Sequence, residues 1–373
     1  MEKKKVLILY APLGAGHGKA AEAIAEEFAL KYPDIEVKNI DVLDFAFEIF
    51  RRGLPWAFVF FNSKAPFLYK WVYQYYNHQS RYKSLNNVPG AFLEKSRFIK
   101  FIKNFNPDFI ISTNPLPMQL VSKTKEKNII DILSANVCTD FGFHSLWHNT
   151  DVNYYFVANE EIKEILIEHG VDDNKIQVTG IPISLKFSEK LDRKKIIDNL
   201  GFDISKPILL IVGGRTSYKN LSAIINGVKI KNNELQFIIV AGRDKILQKK
   251  LKDSKISKDS SVRIFDFVDN LDEYMSAADL ILTKAGGLTL SECLAKNLPM
   301  VINDIIPGQE EDNVNYAVSH GIGIKADNTK EAINAINKLF LQPEKLTLMK
   351  ENCKKIAKPN AARDLIDFVI SKI

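Results

Sequence analysis

Cysteine is scarce: Cys138, Cys293 and Cys353 are far apart, odd in number and never spaced Cys-x-x-Cys. That excludes a disulfide framework and a thiolate zinc site and leaves them as packing residues. Long apolar runs are also missing. The longest, residues 53–61, has nine residues, where a bilayer-spanning helix needs about 20. The N-terminal Met1-Glu2-Lys3-Lys4-Lys5 leads straight into Val6-Leu7-Ile8-Leu9-Tyr10. This apolar segment is too short for the core of a signal peptide and no small-residue cleavage site follows it, so the expected location is cytoplasmic. Neither low-complexity segments nor short-period repeats occur, which argues against a solenoid.

What is present is an ordinary globular composition, with 46% hydrophobic and 26% charged residues, long enough at 373 residues for two cores. Lys plus Arg exceed Asp plus Glu by six, an excess that suits phosphates or anionic lipid. Short runs rich in Val and Ile alternate with stretches of helical spacing, the pattern of parallel sheets covered by helices. Strands are expected at residues 5–10, 37–39, 109–112, 130–137, 155–157 and 177–179. A second series begins with Pro207-Ile208-Leu209-Leu210-Ile211-Val212 running into Gly213-Gly214, as the first strand runs into Gly14 and Gly16, and continues at 237–241, 262–265, 280–283 and 300–303. The reading is an α/β chain of two Rossmann-like domains, residues 1–185 and 186–359. Pro359 interrupts the last helical pattern, and Asn360 is placed to cap an amphipathic helix over 360–373 that needs an apolar partner, with the first domain as one candidate.

Three loops can carry chemistry. Gly14-Ala15-Gly16-His17-Gly18-Lys19 lies between a strand and a helix expected at 20–30. Glycines allow a tight turn and close approach of a ligand, and an imidazole at the carboxyl end of a parallel strand sits where open α/β sheets bind ligands; a surface or capping histidine is the alternative. Thr283-Lys284-Ala285-Gly286-Gly287-Leu288-Thr289-Leu290-Ser291-Glu292 follows a strand and opens a helix. Its amides at Gly286, Gly287 and Thr289 form a site for a diphosphate, and Glu292 is one turn away, within reach of ribose hydroxyls or simply complementing the helix dipole. Ile306-Pro307-Gly308-Gln309-Glu310-Glu311-Asp312-Asn313 gathers amides and carboxylates able to hold sugar hydroxyls, or is only a solvated acidic helix start.

From Arg51 to Lys83 the chain contains no Asp or Glu, yet it holds Arg51, Arg52, Lys64, Lys70, Arg81 and Lys83 together with Trp56, Phe58, Phe60, Phe61, Phe67, Tyr69, Trp71, Tyr73, Tyr75, Tyr76 and Tyr82. Aromatic residues with cations and no carboxylates favour an anionic bilayer interface. Part of the stretch must be core. Single-stranded nucleic acid could use the same residue types, but no nucleic-acid-binding motif accompanies them.

The order of Gly14-Ala15-Gly16-His17, Thr139-Asp140 with His144 and Trp147, Val178-Thr179-Gly180-Ile181-Pro182, Thr283 to Glu292, and Pro307-Gly308-Gln309-Glu310 with Asn313 resembles glycosyltransferase family 28, closest to monogalactosyldiacylglycerol synthases and processive diacylglycerol glucosyltransferases. The likeness runs over nearly the whole chain. It implies a GT-B architecture, two Rossmann-like domains facing a central cleft, with the donor on the second and the acceptor on the first. It also implies an inverting transfer of glucose or galactose from UDP-glucose or UDP-galactose to diacylglycerol or a glycosyl-diacylglycerol. No cofactor is implied beyond the UDP-sugar co-substrate, and no Asp-x-Asp triplet is present to hold the donor through a metal.

By matching positions, His17 resembles the catalytic base and Phe267 and Val268 the uracil contact. Gly286, Gly287 and Thr289 resemble the diphosphate loop, Glu292 the ribose ligand, and Gln309, Glu310 and Asn313 the sugar contacts. Gly213, Gly214 and Arg215 stand where relatives often carry a longer glycine run, and Asn114 where relatives often carry His. Asp140 either orients His17 or binds the acceptor. Arg51, Arg52, Trp56, Phe60, Phe61, Lys64 and Trp71 are the expected membrane contacts of a peripheral protein on the inner face of the cell membrane. The rival readings are a transferase to a polyprenyl-linked or other acceptor, a nucleotide-sugar epimerase of similar architecture, and a non-enzymatic sensor of nucleotide sugar.

Overall fold

Strands buried on both faces read as unbroken apolar runs, and two such runs, in β1 (Lys5–Tyr10) and β7 (Ile208–Val212), are each buried through their middle and sit inside a six-stranded parallel sheet. The computed structural model describes residues 3–373 except 13, 65, 66, 68, 69, 72–93, 149, 150, 214, 215, 307 and 309, and the backbone alone of 15, 55, 58, 59 and 62–64.

The chain divides into two compact units, Met1–Leu185 with Ile306–Asp312 and Lys358–Ile373, and Lys186–Ile305 with Asn313–Ala357. In the first, β1 is followed by α1 (Ala15–Lys31), β2 (Glu36–Asp41), α2 (Glu48–Lys64), α3 (Lys95–Phe105), β3 (Phe109–Ser112), α4 (Pro115–Glu126), β4 (Leu133–Val137), β5 (Tyr154–Phe156), α5 (Glu160–Glu168) and β6 (Ile176–Gln177). The second runs α6 (Arg193–Asn199), β7, α7 (Tyr218–Lys229), β8 (Gln236–Val240), α8 (Lys245–Lys252), β9 (Val262–Phe265), α9 (Leu271–Ala277), β10 (Leu280–Thr283), α10 (Gly287–Ala295), β11 (Met300–Ile302), α11 (Glu311–Ser319), β12 (Gly323–Lys325), α12 (Thr329–Leu341) and α13 (Pro343–Ile356). The last helix, α14 (Ala361–Ile370), belongs to the first unit.

The first sheet has the order β2-β1-β3-β4-β5-β6 and the second β12-β11-β10-β7-β8-β9, with every pairing parallel. In each, the chain leaves its first strand in one direction and later returns to that strand's other side. The reversal falls between β1 and β3 in one unit and between β7 and β10 in the other. At such a reversal the loops leaving the carboxyl ends of neighbouring strands part and leave a crevice where ligands bind.

Several expectations change in detail. The strand expected from residue 130 begins at Leu133, and β12 is an additional short strand. The helix expected to start at residue 20 starts at Ala15, so Gly16, His17 and Gly18 form its first turn rather than a loop. Asn360 occupies the start of α14 without a side-chain cap.

Helix α14 closes the first core. Leu365, Ile366 and Val369 are fully buried against Val6, Ile24, Phe28 and Phe156, and Phe368 meets Tyr154 and Phe156 edge-on at 4.9 and 5.5 Å. Burying three such aliphatic side chains contributes about 5 to 9 kcal/mol as an upper estimate. Polar contacts fix its register on α1: Arg363 Nε donates to Glu27, itself 1% exposed, at 2.7 Å, and Lys31 and the Tyr32 hydroxyl both reach Asp367.

Candidate active site

His17 is placed by three strands at once. It is the third residue of α1, which leaves the carboxyl end of β1 through Gly14, a residue at φ 94° that a side chain would strain. From the end of β3, the Thr113 carbonyl lies 2.7 Å from His17 Nδ1, and the Thr113 hydroxyl donates to the His17 carbonyl at 2.9 Å. From the end of β4, the Thr139 hydroxyl lies 3.0 Å from the same Nδ1. Trp147 closes one side of the ring at 6.3 Å between centroids. β1, β3 and β4 are adjacent in the sheet, so the imidazole stands at the reversal point. Burial, offset in part by the Thr113 carbonyl, pushes it down from the usual 6.5 to about 4, and the ring is neutral at physiological pH.

Asp140 follows Thr139 directly, but the Nδ1 contacts come from Thr113 and Thr139. Thr139 stands in the Thr139-Asp140 segment, but nothing in sequence assigns either threonine to His17; they lie 96 and 122 residues from it, and only the strand order brings them to it. Asn114 caps α4, its side-chain oxygen accepting from Leu116 N at 2.9 Å.

In the second unit, the loops after β7 and β10 flank the reversal. Gly213 continues β7, its amide donating to the Val240 carbonyl at 2.8 Å, and a Cβ there would come within 3.2 Å of that oxygen. Gly214, Arg215 and Gln309 lie outside the described residues. After β10, Gly286 starts α10, and the first turn, Gly287-Leu288-Thr289, carries no carboxylate. Its free amides suit an anion. Glu292 follows on the next turn, partly exposed. The Thr216 hydroxyl donates to Asp304, joining the loops after β7 and β11.

The loop after β11 is braced by its own side chains. Glu310 is 4% exposed and accepts from Ile306 N at 3.0 Å, bracing its own loop, while Asn313, fully buried, donates to the Ala285 carbonyl at 3.0 Å beside the start of α10. Both side chains therefore hold backbone in place. After β9, Phe267 is 49% exposed and the Arg243 guanidinium lies 4.4 Å over its ring, with Val268 partly exposed alongside.

On α2, Trp56 is 66% exposed and stacks on Phe60, which meets Phe61 edge-on; Ile49 and Phe50 are exposed with them. Phe67 and Trp71 are exposed too. Contiguous exposed aromatics of this size mark an interaction surface. Arg51 and Arg52 are not unopposed, because Asp44 and Glu48, just upstream of the acid-free stretch, pair with them. The Lys64 side chain, Tyr73, Tyr75, Tyr76, Arg81, Tyr82 and Lys83 lie outside the described residues. Among the described residues no helix is long and apolar enough to cross a membrane. The three cysteines are free and buried, and burial pushes the Cys353 thiol up to about 12.

Comparison with known proteins gives two matches in chain order. Residues 17–183 match the model for monogalactosyldiacylglycerol (MGDG) synthase, and residues 208–367 that for the glycosyltransferase family 28 C-terminal domain. A processive diacylglycerol beta-glucosyltransferase of Staphylococcus epidermidis is 30% identical over 357 residues, covering 93% of this chain and 88% of the relative. One of Bacillus licheniformis is 28% identical over 99% of this chain and 95% of the relative. Among solved structures, UDP-GlcNAc 2-epimerase from Neisseria meningitidis bound to UDP-GlcNAc superposes with a TM-score of 0.64 at 18% identity, covering 99% of this chain and 100% of that one. At that identity the likeness concerns the fold, and it is the GT-B architecture of two Rossmann-like units in series. With both units matched in order and a full-length relative at 30% identity, the chain belongs to glycosyltransferase family 28 and is a glycosyltransferase of the branch that includes the MGDG synthases and processive diacylglycerol beta-glucosyltransferases.

Proposed function

We propose that this enzyme moves glucose or galactose from a UDP-sugar to diacylglycerol or a glycosyl-diacylglycerol at a membrane surface, with inversion at the anomeric carbon. The observation that carries the reading is the neutral His17 held at the meeting of three strand ends. A lipid hydroxyl is a weak nucleophile, and a base that takes its proton as the bond forms contributes roughly 10² to 10⁴ in rate. The acceptor oxygen's electron pair forms the new glycosidic bond, its proton passes to His17, and the bond from the anomeric carbon to phosphate breaks with its pair leaving on UDP.

The charge that develops on the leaving diphosphate needs donors already in place. The amides of Gly286, Gly287 and Thr289 supply them, with Asn313 holding that turn through Ala285. Glu292 takes the ribose, Phe267 and Val268 border the uracil, and Gln309 is the sugar contact assigned by the family resemblance. The exposed aromatic face of α2 supports action at a bilayer, where Trp and Phe lie at the boundary between headgroups and acyl chains. That the relatives are processive diacylglycerol beta-glucosyltransferases supports the acceptor class and favours glucose.

The test is UDP release by the purified protein given UDP-glucose or UDP-galactose, with and without diacylglycerol in anionic vesicles, with identification of the lipid product. Lipid-dependent release that falls at least 10²-fold in His17→Ala supports the proposal and identifies the sugar. Release without lipid, or an unchanged His17→Ala variant, refutes it.

A further inference from the structure

A carbonyl oxygen only accepts hydrogen bonds. The Thr113 carbonyl, 2.7 Å from His17 Nδ1, must therefore receive a proton from that nitrogen. A neutral imidazole carries one N–H, so Nε2 is left with the lone pair. Thr139 Oγ1, 3.0 Å from Nδ1, then accepts the same hydrogen as a second, shared acceptor. The hold is reciprocal, because the Thr113 hydroxyl donates back to the His17 carbonyl at 2.9 Å. Thr113 is fully buried and Thr139 4% exposed, which shields these contacts from competing water.

We propose that Thr113 and Thr139 are positioning residues that form an uncharged tautomer lock on His17, keeping the proton on Nδ1 and reserving Nε2 as the nitrogen that takes the acceptor's proton. The proposal rests on the reading of His17 as the base. Its chemistry differs from that of the catalytic triads, in which a carboxylate occupies this place and stabilises the imidazolium as it forms. Here a carbonyl and a hydroxyl fix direction without supplying charge. The ring takes a proton only while the glycosidic bond is forming and surrenders it readily afterwards, a suitable property for an enzyme whose base must be restored before each acceptor arrives.

The depressed titration of the ring agrees with this arrangement. The other titratable and charged groups on the elements around it include Lys19 and Glu22 on α1, paired with each other at 2.5 Å, with Glu26, Glu27 and Lys31 further along that helix, Lys5 and Tyr10 on β1, Cys138 and Asp140 after β4, and His144 before Trp147. Burial and the Thr113 carbonyl govern the ring's titration.

The test combines ¹⁵N NMR of histidine-labelled full-length protein with pH-dependent kinetics in Thr139→Val, Thr139→Ser and Thr139→Asp. The native protein is expected to show His17 protonated on Nδ1 with an unprotonated Nε2. Thr139→Val, of nearly the same shape, keeps the proton on Nδ1, because the Thr113 carbonyl remains, but loosens the ring and lowers kcat about fivefold, the worth of one hydrogen bond, with KM unchanged; Thr139→Ser restores kcat. Thr139→Asp places a carboxylate beside Nδ1 and moves the acid limb of the kcat profile up by about one pH unit or more. A native ring protonated on Nε2 overturns the lock whatever the variants do. So does a Thr139→Asp profile that does not move, or a Thr139→Ser no better than Thr139→Val. A fully active His17→Asn, alongside the expected tautomer, instead overturns the base reading, and the lock loses its catalytic purpose while its geometry stands.

Discussion

Gly180, within the Val178-Thr179-Gly180-Ile181-Pro182 segment, is expected to tolerate no side chain. Its φ of 91° is left-handed, which strains an L-residue by about 1 to 2 kcal/mol. An added Cβ would also lie 2.6 Å from Lys358 Cβ and 3.3 Å from Ala361 Cβ, atoms next to the backbone at the entry to α14 that cannot swing aside. Overpacking of that kind typically adds about 1 to 3 kcal/mol, for a total of about 2 to 5 kcal/mol in Gly180→Ala. Gly170 separates the two effects: its φ is 86°, yet a Cβ there would meet nothing within 4 Å, so Gly170→Ala should show the backbone strain alone. Trp56, Trp71 and Trp147, the three tryptophans of the chain, all precede Leu185 in the first unit. Urea unfolding followed by tryptophan fluorescence therefore reports that unit selectively. Gly180→Ala should lower its midpoint by roughly 1 to 2 M, and Gly170→Ala by less than half as much. Equal losses in the two variants would refute the packing of Gly180 on the chain entering α14, and no loss in either would refute the left-handed backbone.

Two more outcomes follow from the same structure. His17 is held near 4 against 6.5 unfolded, so the unfolded chain binds the proton first: stability is complete above pH 6.5 and falls by about 3 kcal/mol as pH drops to 4. Denaturant titrations at intervals across that window should show the decline, and it should be absent from His17→Asn; equal slopes in both proteins would count against the depressed ring. On α2, replacing Trp56, Phe60 or Phe61 with Ala should weaken sedimentation with anionic vesicles about tenfold each, with thermal stability within a few degrees of the parent because these rings are exposed; unchanged binding would remove α2 from the membrane contact.

How much could be read directly from residues depended on how local the cause was. β1, β3 and β10 were legible to the residue, since strands buried on both faces are bounded by the ends of their apolar runs, and β9 was legible although only Val262 in it is buried. Ile130 and Ile132 extended the apparent fourth strand beyond its true start, and the three residues of β12 were too few to show a period. Gly16 and Gly18 read as loop because glycine is a poor helix former, whereas Gly14 alone makes the turn and helix begins directly after it. His17 was legible by its place after a strand. Its partners were not, because threonines have no distinguishing chemistry until β3 and β4 bring them against the ring. Glu310 and Asn313 were legible as polar residues of a ligand loop, but their burial against backbone groups depends on tertiary packing.

The return of α14 to the first unit has a consequence for synthesis on the ribosome. Domains ordinarily fold in the order in which they emerge, N-terminal first. Here the first unit lacks Leu365, Ile366, Phe368 and Val369 until codons 361–370 are translated, whereas Lys186–Ala357, apart from Ile306–Asp312, supplies every strand of the second unit beforehand. The domain begun first is thus the last to be completed, and during elongation the apolar face carrying Tyr154 and Phe156 awaits its cover. A nascent chain stalled before codon 361 would present a finished second unit joined to an unfinished first one, which makes that interval the point at which chaperones have the most to protect.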